Sequence, residues 1–233
     1  MLRSLARALV ALFITGAAHA DGTAATAWTD TFEGKENLVP YGANPFYVLK
    51  PGYTLEYAGG TKAKKVRLVI TVLKTTKVVD GVTTAVVEER EWLNGKLAEV
   101  SRNYMAISRT TNNVYYFGED VDDYAGGKVV GHGGAWLSGV NGARYGLMMP
   151  GKPEVGARYY QEVAPGKAMD RVEIASLGAV VNTPAGKFAG CLKTGETTPL
   201  ESGTSVKAYA PGIGLIQDDD LKLVRRSQGK ARR

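Results

Sequence analysis

The sequence predicts an all-β, antiparallel protein built of two similar curved-sheet units, each like half a barrel. Three observations predict it. Apolar residues recur with a period of two, as in "VRLVITV", where Val66, Leu68, Ile70 and Val72 share one face and Arg67 and Thr71 the other. Turn signals are dense: Asp80-Gly81, Asn94-Gly95 and four Pro-Gly pairs at Pro51, Pro150, Pro165 and Pro211. A segment then recurs at an offset of 104 to 105 residues, carrying Gly52 to Gly156, Leu73 to Leu177, Gly81 to Gly186 and Tyr104 to Tyr209.

The chain begins with a secretion signal, residues 1–20. Arg3 and Arg7 precede the apolar run "ALVALFITGAA", and Ala18-His19-Ala20 supplies the small residues a signal peptidase needs. The run is too short to span a bilayer. Cleavage after Ala20 and a periplasmic or secreted destination are expected. The 233 residues less these 20 leave 213, enough to bury a stable core without disulfides. That matters because the chain has one cysteine, Cys191, which reads as a small buried hydrophobe.

The first β unit covers 21–118. Its clearest hairpin is "AVVEEREWL-NG-KLAEVSRNYM", whose two-residue loop sets Leu93 against Lys96 and, in strict register, Arg90 against Glu99. The hairpin before it, turning at Asp80-Gly81, would put Ile70 against Glu91 and Val72 against Glu89 in strict register. A bulge that resets the faces is therefore expected, with Glu88, Glu89 and Glu91 on a solvated face. A glycine-rich insertion, 119–150, follows. Nine glycines lie between 126 and 151, so this segment is expected to be mobile or held in unusual backbone geometry. The second β unit covers 151–221 and a basic tail 222–233. The tail "KLVRRSQGKARR" holds six basic groups and no acids, and reads as a disordered, solubilising end. Without signal and tail the body carries 21 basic and 23 acidic residues, a net charge of −2, which argues against nucleic-acid binding.

Two motifs in the second unit carry a resemblance. "TPAGKFAGCLKT" reads P-x-G-x-F-x-x-C, and "YAPGIG" reads Y-A-P-G-x-G. Together with "YFGEDVDDY" and "GAWLSGVNGA" they resemble an uncharacterised group of secreted or periplasmic bacterial β-rich proteins, over about 40–217. The resemblance implies structural roles: turns at Gly186 and Gly212, inward-facing Phe188 and Cys191, and a strand end at Tyr209. It implies no catalytic residue. A more distant likeness to curved-sheet periplasmic lipid carriers rests on architecture alone.

Most catalytic chemistry finds no support. The mature chain has one histidine, His132, and no G-x-S-x-G elbow for it to serve. "GGTKAKK" lacks the spacing of a phosphate loop. The expected function is non-catalytic: binding an apolar or amphiphilic small molecule, or an envelope component, on the concave side of the sheet. Tyr53, Trp92, Tyr104, Trp136 and Tyr159 are the candidate ligand-binding residues, since curved sheets present such rings to a concave site; Tyr47 and Tyr57 are further rings for its lining. A secreted hydrolase using His132 is the first alternative, and a calcium-stabilised structural module the second. No cofactor is implied apart from that calcium, for which Glu119, Asp120, Asp122 and Asp123 are the candidate ligands. Tyr124, Ala125 and Gly131 at the following ligand positions rule out an EF-hand loop. The reading preferred for the four acids is a solvated loop leaving the strand "NVYYF".

Overall fold

The computed structural model describes residues 27–229; residues 1–26, with the expected secretion signal 1–20, and the last four residues lie outside them. After a 3-10 turn at Lys35–Asn37 come β1 (Leu38–Val39), β2 (Gly42–Asn44), β3 (Tyr47–Leu49), β4 (Tyr53–Gly60), β5 (Lys65–Val79), β6 (Val82–Leu93), β7 (Lys96–Ser108) and β8 (Val114–Ala125). The chain continues through β9 (Lys128–Gly131), β10 (Trp136–Leu137), β11 (Arg144–Met149), β12 (Arg158–Tyr160) and β13 (Glu162–Val163). It ends in β14 (Arg171–Thr183), β15 (Gly186–Thr198), β16 (Glu201–Ala210), β17 (Gly214–Asp218) and β18 (Leu221–Gln228). The all-β, antiparallel expectation holds. Among the described residues no helix is long and apolar enough to cross a membrane.

Sixteen strands form one antiparallel sheet, and β2 with β3 makes a separate ribbon. The main path runs β12-β14-β15-β16-β17-β18-β4-β5-β6-β7-β8-β11-β13. Its two ends, β12 and β13, are consecutive in the chain and separated by Gln161 alone. The sheet therefore curls back on itself as a nearly closed barrel, which leaves little exposed strand edge. Gly146 of β11 sits at this seam, where a Cβ would stand 2.5 Å from the backbone of Gln161. Gly146→Ala is expected to push the seam apart and cost about 1–3 kcal/mol in a urea melt; an unchanged midpoint would show the seam to be loose.

The turn chemistry is as the sequence predicts. Asp80 and Gly81 take φ of 51° and 78°, and Asn94 and Gly95 take 50° and 79°, the left-handed pair that two-residue hairpins need. The registers beyond these turns differ from the strict ones. β5 gains two residues between Val72 and Thr76, so Val72 faces Val87 and Ile70 faces Glu89. Two is an even number, so the bulge keeps the faces rather than resetting them. Glu89 is thus on the inner face with Ile70, not on a solvated one. In the next hairpin the register shifts between Glu91 and Trp92, leaving Ala98 extra. Arg90 then lies opposite Val100, and Glu91 opposite Glu99. The expected Arg90–Glu99 pair does not form; Arg90 Nε instead donates to Glu88 at 2.7 Å.

Residues 119–150 are not a loop inserted between two units. β8 runs on through Ala125, and β9, β10 and β11 each pair back onto it. The four acids are therefore strand residues. Gly118 lies where the β7–β8 register shifts, between the Glu119–Asn103 and Tyr116–Met105 pairs: its φ is 136°, and a Cβ there would meet the Trp136 carbonyl. The segment 222–228, expected as disordered tail, belongs to β18, which joins β4 to β17. Leu221 and Leu223 are buried between exposed Lys222 and Val224, a period-two alternation that the charge of the segment obscures.

The two windows related by the offset of about 104 do traverse the sheet alike, β4-β5-β6-β7 and β12-β14-β15-β16. They part at the residues meant to anchor the repeat. Tyr104 lies opposite Val86 on the outer face, where its hydroxyl meets Asp120, whereas Tyr209 lines the interior. An internal repeat is not established by the fold. Cys191 is unpaired and fully buried in an apolar cluster with Tyr57, Leu68, Ile216 and Leu223.

Candidate functional site

The barrel interior holds a partly open cavity of about 170 Å³. One wall is apolar. Leu55 and Tyr57 of β4, Leu68, Ile70 and Val72 of β5, Val87 of β6 and Leu215 of β17 supply it, by the period-two alternation that points every second side chain inward. Tyr53 and Tyr57 are fixed against this wall by their hydroxyls, which donate to the Ile213 and Leu215 carbonyls at 3.0 and 2.8 Å.

The adjoining wall is polar and mostly acidic, Glu89 lying directly across the β5–β6 register from Ile70. Glu89 of β6, Glu119 of β8, Glu162 of β13, Asp170 before β14, Glu196 of β15 and Asp218 of β17 all line the cavity. Lys207 of β16 is the one basic side chain among the lining residues. Its ammonium lies 2.6 Å from Glu196 and 3.8 Å from Asp218. Ser101 and Asn103 of β7 complete the wall. Asn103 donates to Ser101 Oγ at 3.3 Å and accepts from the Tyr116 hydroxyl at 2.7 Å. Asp170 donates its backbone N–H to Glu162 at 2.7 Å.

Crowding acids in a desolvated space raises their proton affinity. Burial pushes Glu89 up to about 7, with Asp218 and Glu91 adding to it and Lys207 opposing. Burial pushes Glu119 to about 8, reinforced by Glu99 and Glu89. Asp218 rises to about 6 through burial, which Lys207 offsets only in part. Glu162 lies well above the ordinary carboxyl range through burial and the charge of Asp170. Lys207 moves up: burial alone would lower it, but Asp218 and Glu196 outweigh that. Glu89 keeps some accessible surface and is among the residues that line the cavity.

Of the five rings predicted to bind ligand, the structure brings two into this space, Tyr53 and Trp136. Trp136 is 6% exposed, and its indole Nε1 has no hydrogen-bond partner. Tyr159 is buried in the adjoining core, and its hydroxyl is likewise without a partner. Trp92 and Tyr104 are on the outer face. The Arg67 guanidinium lies over the Trp92 ring at 4.5 Å, and Lys77 covers Tyr104 at 4.4 Å.

The four acids proposed for calcium are parted by the strand that carries them. Glu119 faces the cavity. Asp120 accepts from Lys77 at 2.9 Å and from the Tyr104 hydroxyl on the outer side. Asp122 pairs with Arg102 at 3.0 Å, and Asp123 accepts the Gly133 N–H at 2.8 Å. Among the described residues, no group of three or more His, Cys, Asp and Glu side chains is placed to hold a metal ion. His132 is a surface ring, its side chain 67% exposed, with Nδ1 at 2.7 Å from the Val121 carbonyl and 3.2 Å from Asp122. It does not reach the cavity lining.

Sequence reasoning named Tyr47 and Tyr57 as rings to line a concave site, and both do; it missed Lys207, Tyr116, Tyr209 and, apart from Glu119, which it took for a metal ligand, the acids. One signal was present: in "SVKAYA" exposed Val206 precedes inward Lys207, an inversion of the pattern expected of a solvated strand.

No protein-family model and no curated protein matches the chain. Two solved structures resemble it. A candidate exported protein with a YmcC-like fold from Bacteroides fragilis is 16% identical, with a TM-score of 0.39 over 79% of this chain and 100% of that one. A candidate lipoprotein from Parabacteroides distasonis is 11% identical, with a TM-score of 0.37 over 80% of this chain and 100% of that one.

Proposed function

We propose that the protein is an exported, non-catalytic binding protein that holds a small amphiphilic molecule inside its barrel. The observation that carries this reading is the interior cavity with one apolar and one polar wall. Its size sets the scale of the ligand. An engineered cavity of about 150 Å³ accommodates benzene. At interior packing density, about 170 Å³ takes roughly ten heavy atoms. That volume suits a compact molecule. The charged, apolar and small-residue sequence of 1–20 supports export to the periplasm or beyond the cell.

Mass spectrometry under native conditions tests the reading. Wild-type protein purified from its own envelope is expected to carry a small molecule. Val87→Phe, which fills the cavity from β6, is expected to carry none while keeping its fold. Equal ligand occupancy in the two proteins would move the binding site elsewhere.

A further inference from the structure

The charge inside the cavity narrows the ligand, provided that the cavity is the binding site. Six acidic side chains and a single ammonium line the space, and that ammonium is already held by Glu196 and Asp218. An anionic ligand would meet the remaining acids with no cation to receive it. A bare metal ion is disfavoured for a different reason. The acids come from six separate places on the barrel and do not converge as ligands of one centre. A larger cation, with charge at one end and apolar body at the other, matches both walls at once.

A second, independent feature points the same way. Trp136 lines the cavity with its Nε1 buried and unpartnered. A buried indole N–H normally finds an acceptor. Rings from Tyr47, Tyr53, Tyr57, Tyr116 and Tyr209 stand around the same space. Such rings favour ammonium groups through their negative faces. We propose that the cavity binds a small organic ammonium compound with a compact apolar body and one hydrogen-bond acceptor, its charge at the acidic wall and its acceptor on Trp136.

Three molecules of one size separate charge from shape: 2-amino-1-phenylethanol, 1-phenylethane-1,2-diol and mandelate. All share the ring and the benzylic hydroxyl; the last group is cationic, neutral or anionic. Calorimetric titration at pH 8.5 is expected to show the amine binding at least tenfold tighter than the diol, and mandelate giving no heat. The double variant Glu89→Gln/Glu119→Gln is expected to lose at least tenfold in affinity for the amine and to keep its affinity for the diol, which also reports that the cavity is intact. Trp136→Phe is expected to weaken amine and diol alike. If the diol binds wild type as tightly as the amine, or if the double variant keeps its amine affinity, the charge inference falls and the cavity reading stands. If none of the three binds or shifts the melting temperature, both fall together.

Discussion

Lys207→Ala is expected to cost about 3–5 kcal/mol of folding stability at pH 7.5, one of the largest losses any single substitution in this barrel would produce. The lysine's side chain is 15% exposed, and those of Glu196 and Asp218 are 8% and 12% exposed. Taking the ammonium away leaves two buried carboxylates whose remaining neighbours in the cavity are mainly other acids. Their Coulomb compensation disappears while the desolvation already incurred remains. Two comparisons make the loss specific. Lys207→Met keeps the aliphatic stem and is expected to lose almost as much, because the missing element is charge and not packing. Adding Glu196→Gln and Asp218→Asn to Lys207→Met is expected to recover most of the loss, since the two acids that Lys207 contacts then carry no charge. The loss should also shrink at pH 5.5, where the orphaned acids take up protons. Guanidinium unfolding at both pH values measures all of this. A loss below about 1 kcal/mol for Lys207→Ala would show the ammonium to be solvated and the cluster to be open to water.

How much of this was legible follows from which signals are local. Strand period and turn residues are local, so the antiparallel β class and the hairpins at Asp80-Gly81 and Asn94-Gly95 could be read directly. Bulges answer to the curvature of the whole sheet. The two residues added after Val72 and the extra Ala98 left no mark in the sequence, and with them went the register of Arg90 and Glu91. Closure is still less local, because it depends on a single residue, Gln161, bringing the two ends of a thirteen-strand path together. The site was hardest of all. An inward Glu89 looks, in sequence, like any glutamate on a solvated strand, and only the face it shares with Ile70 reveals it. The same ambiguity hid β18, whose Leu221 and Leu223 are core residues within a run of positive charge. The candidate site lies where the alternation rule is broken, as is expected when a fold gives up core packing for a site.

That broken alternation has a thermodynamic signature in the ligand-free protein, which is expected to become less stable, not more, as pH rises from 5.5 to 9. A carboxyl whose proton affinity is raised by folding favours the folded state while it keeps its proton. Its contribution is complete below the ordinary carboxyl value of 4.5 and is lost as pH climbs through the folded value. For this barrel those folded values are about 6 for Asp218, about 7 for Glu89 and about 8 for Glu119, so the loss is spread over pH 5 to 9. Every tenfold gain in proton affinity on folding is worth about 1.4 kcal/mol. The rise of Glu89 alone, from 4.5 to about 7, is of the order of 3 kcal/mol. These acids repel one another and do not contribute independently, so the expected loss between pH 5.5 and 9 is at least about 2 kcal/mol. On the acid side the sign reverses. Glu33 is partly buried, but hydrogen bonds from Thr111 and Tyr115 outweigh that and hold it below the usual range. Asp80 is held low in the same way by Lys35 and Ser138. Their contributions are lost as pH falls below about 4, so stability should peak near pH 5. Urea midpoints across pH 3.5 to 9.5 trace the curve. Glu89→Gln/Glu119→Gln should flatten its alkaline limb and leave the acid limb in place, and a wild-type curve that is flat from pH 5.5 to 9 would mean that the acidic wall is hydrated and titrates as a surface would.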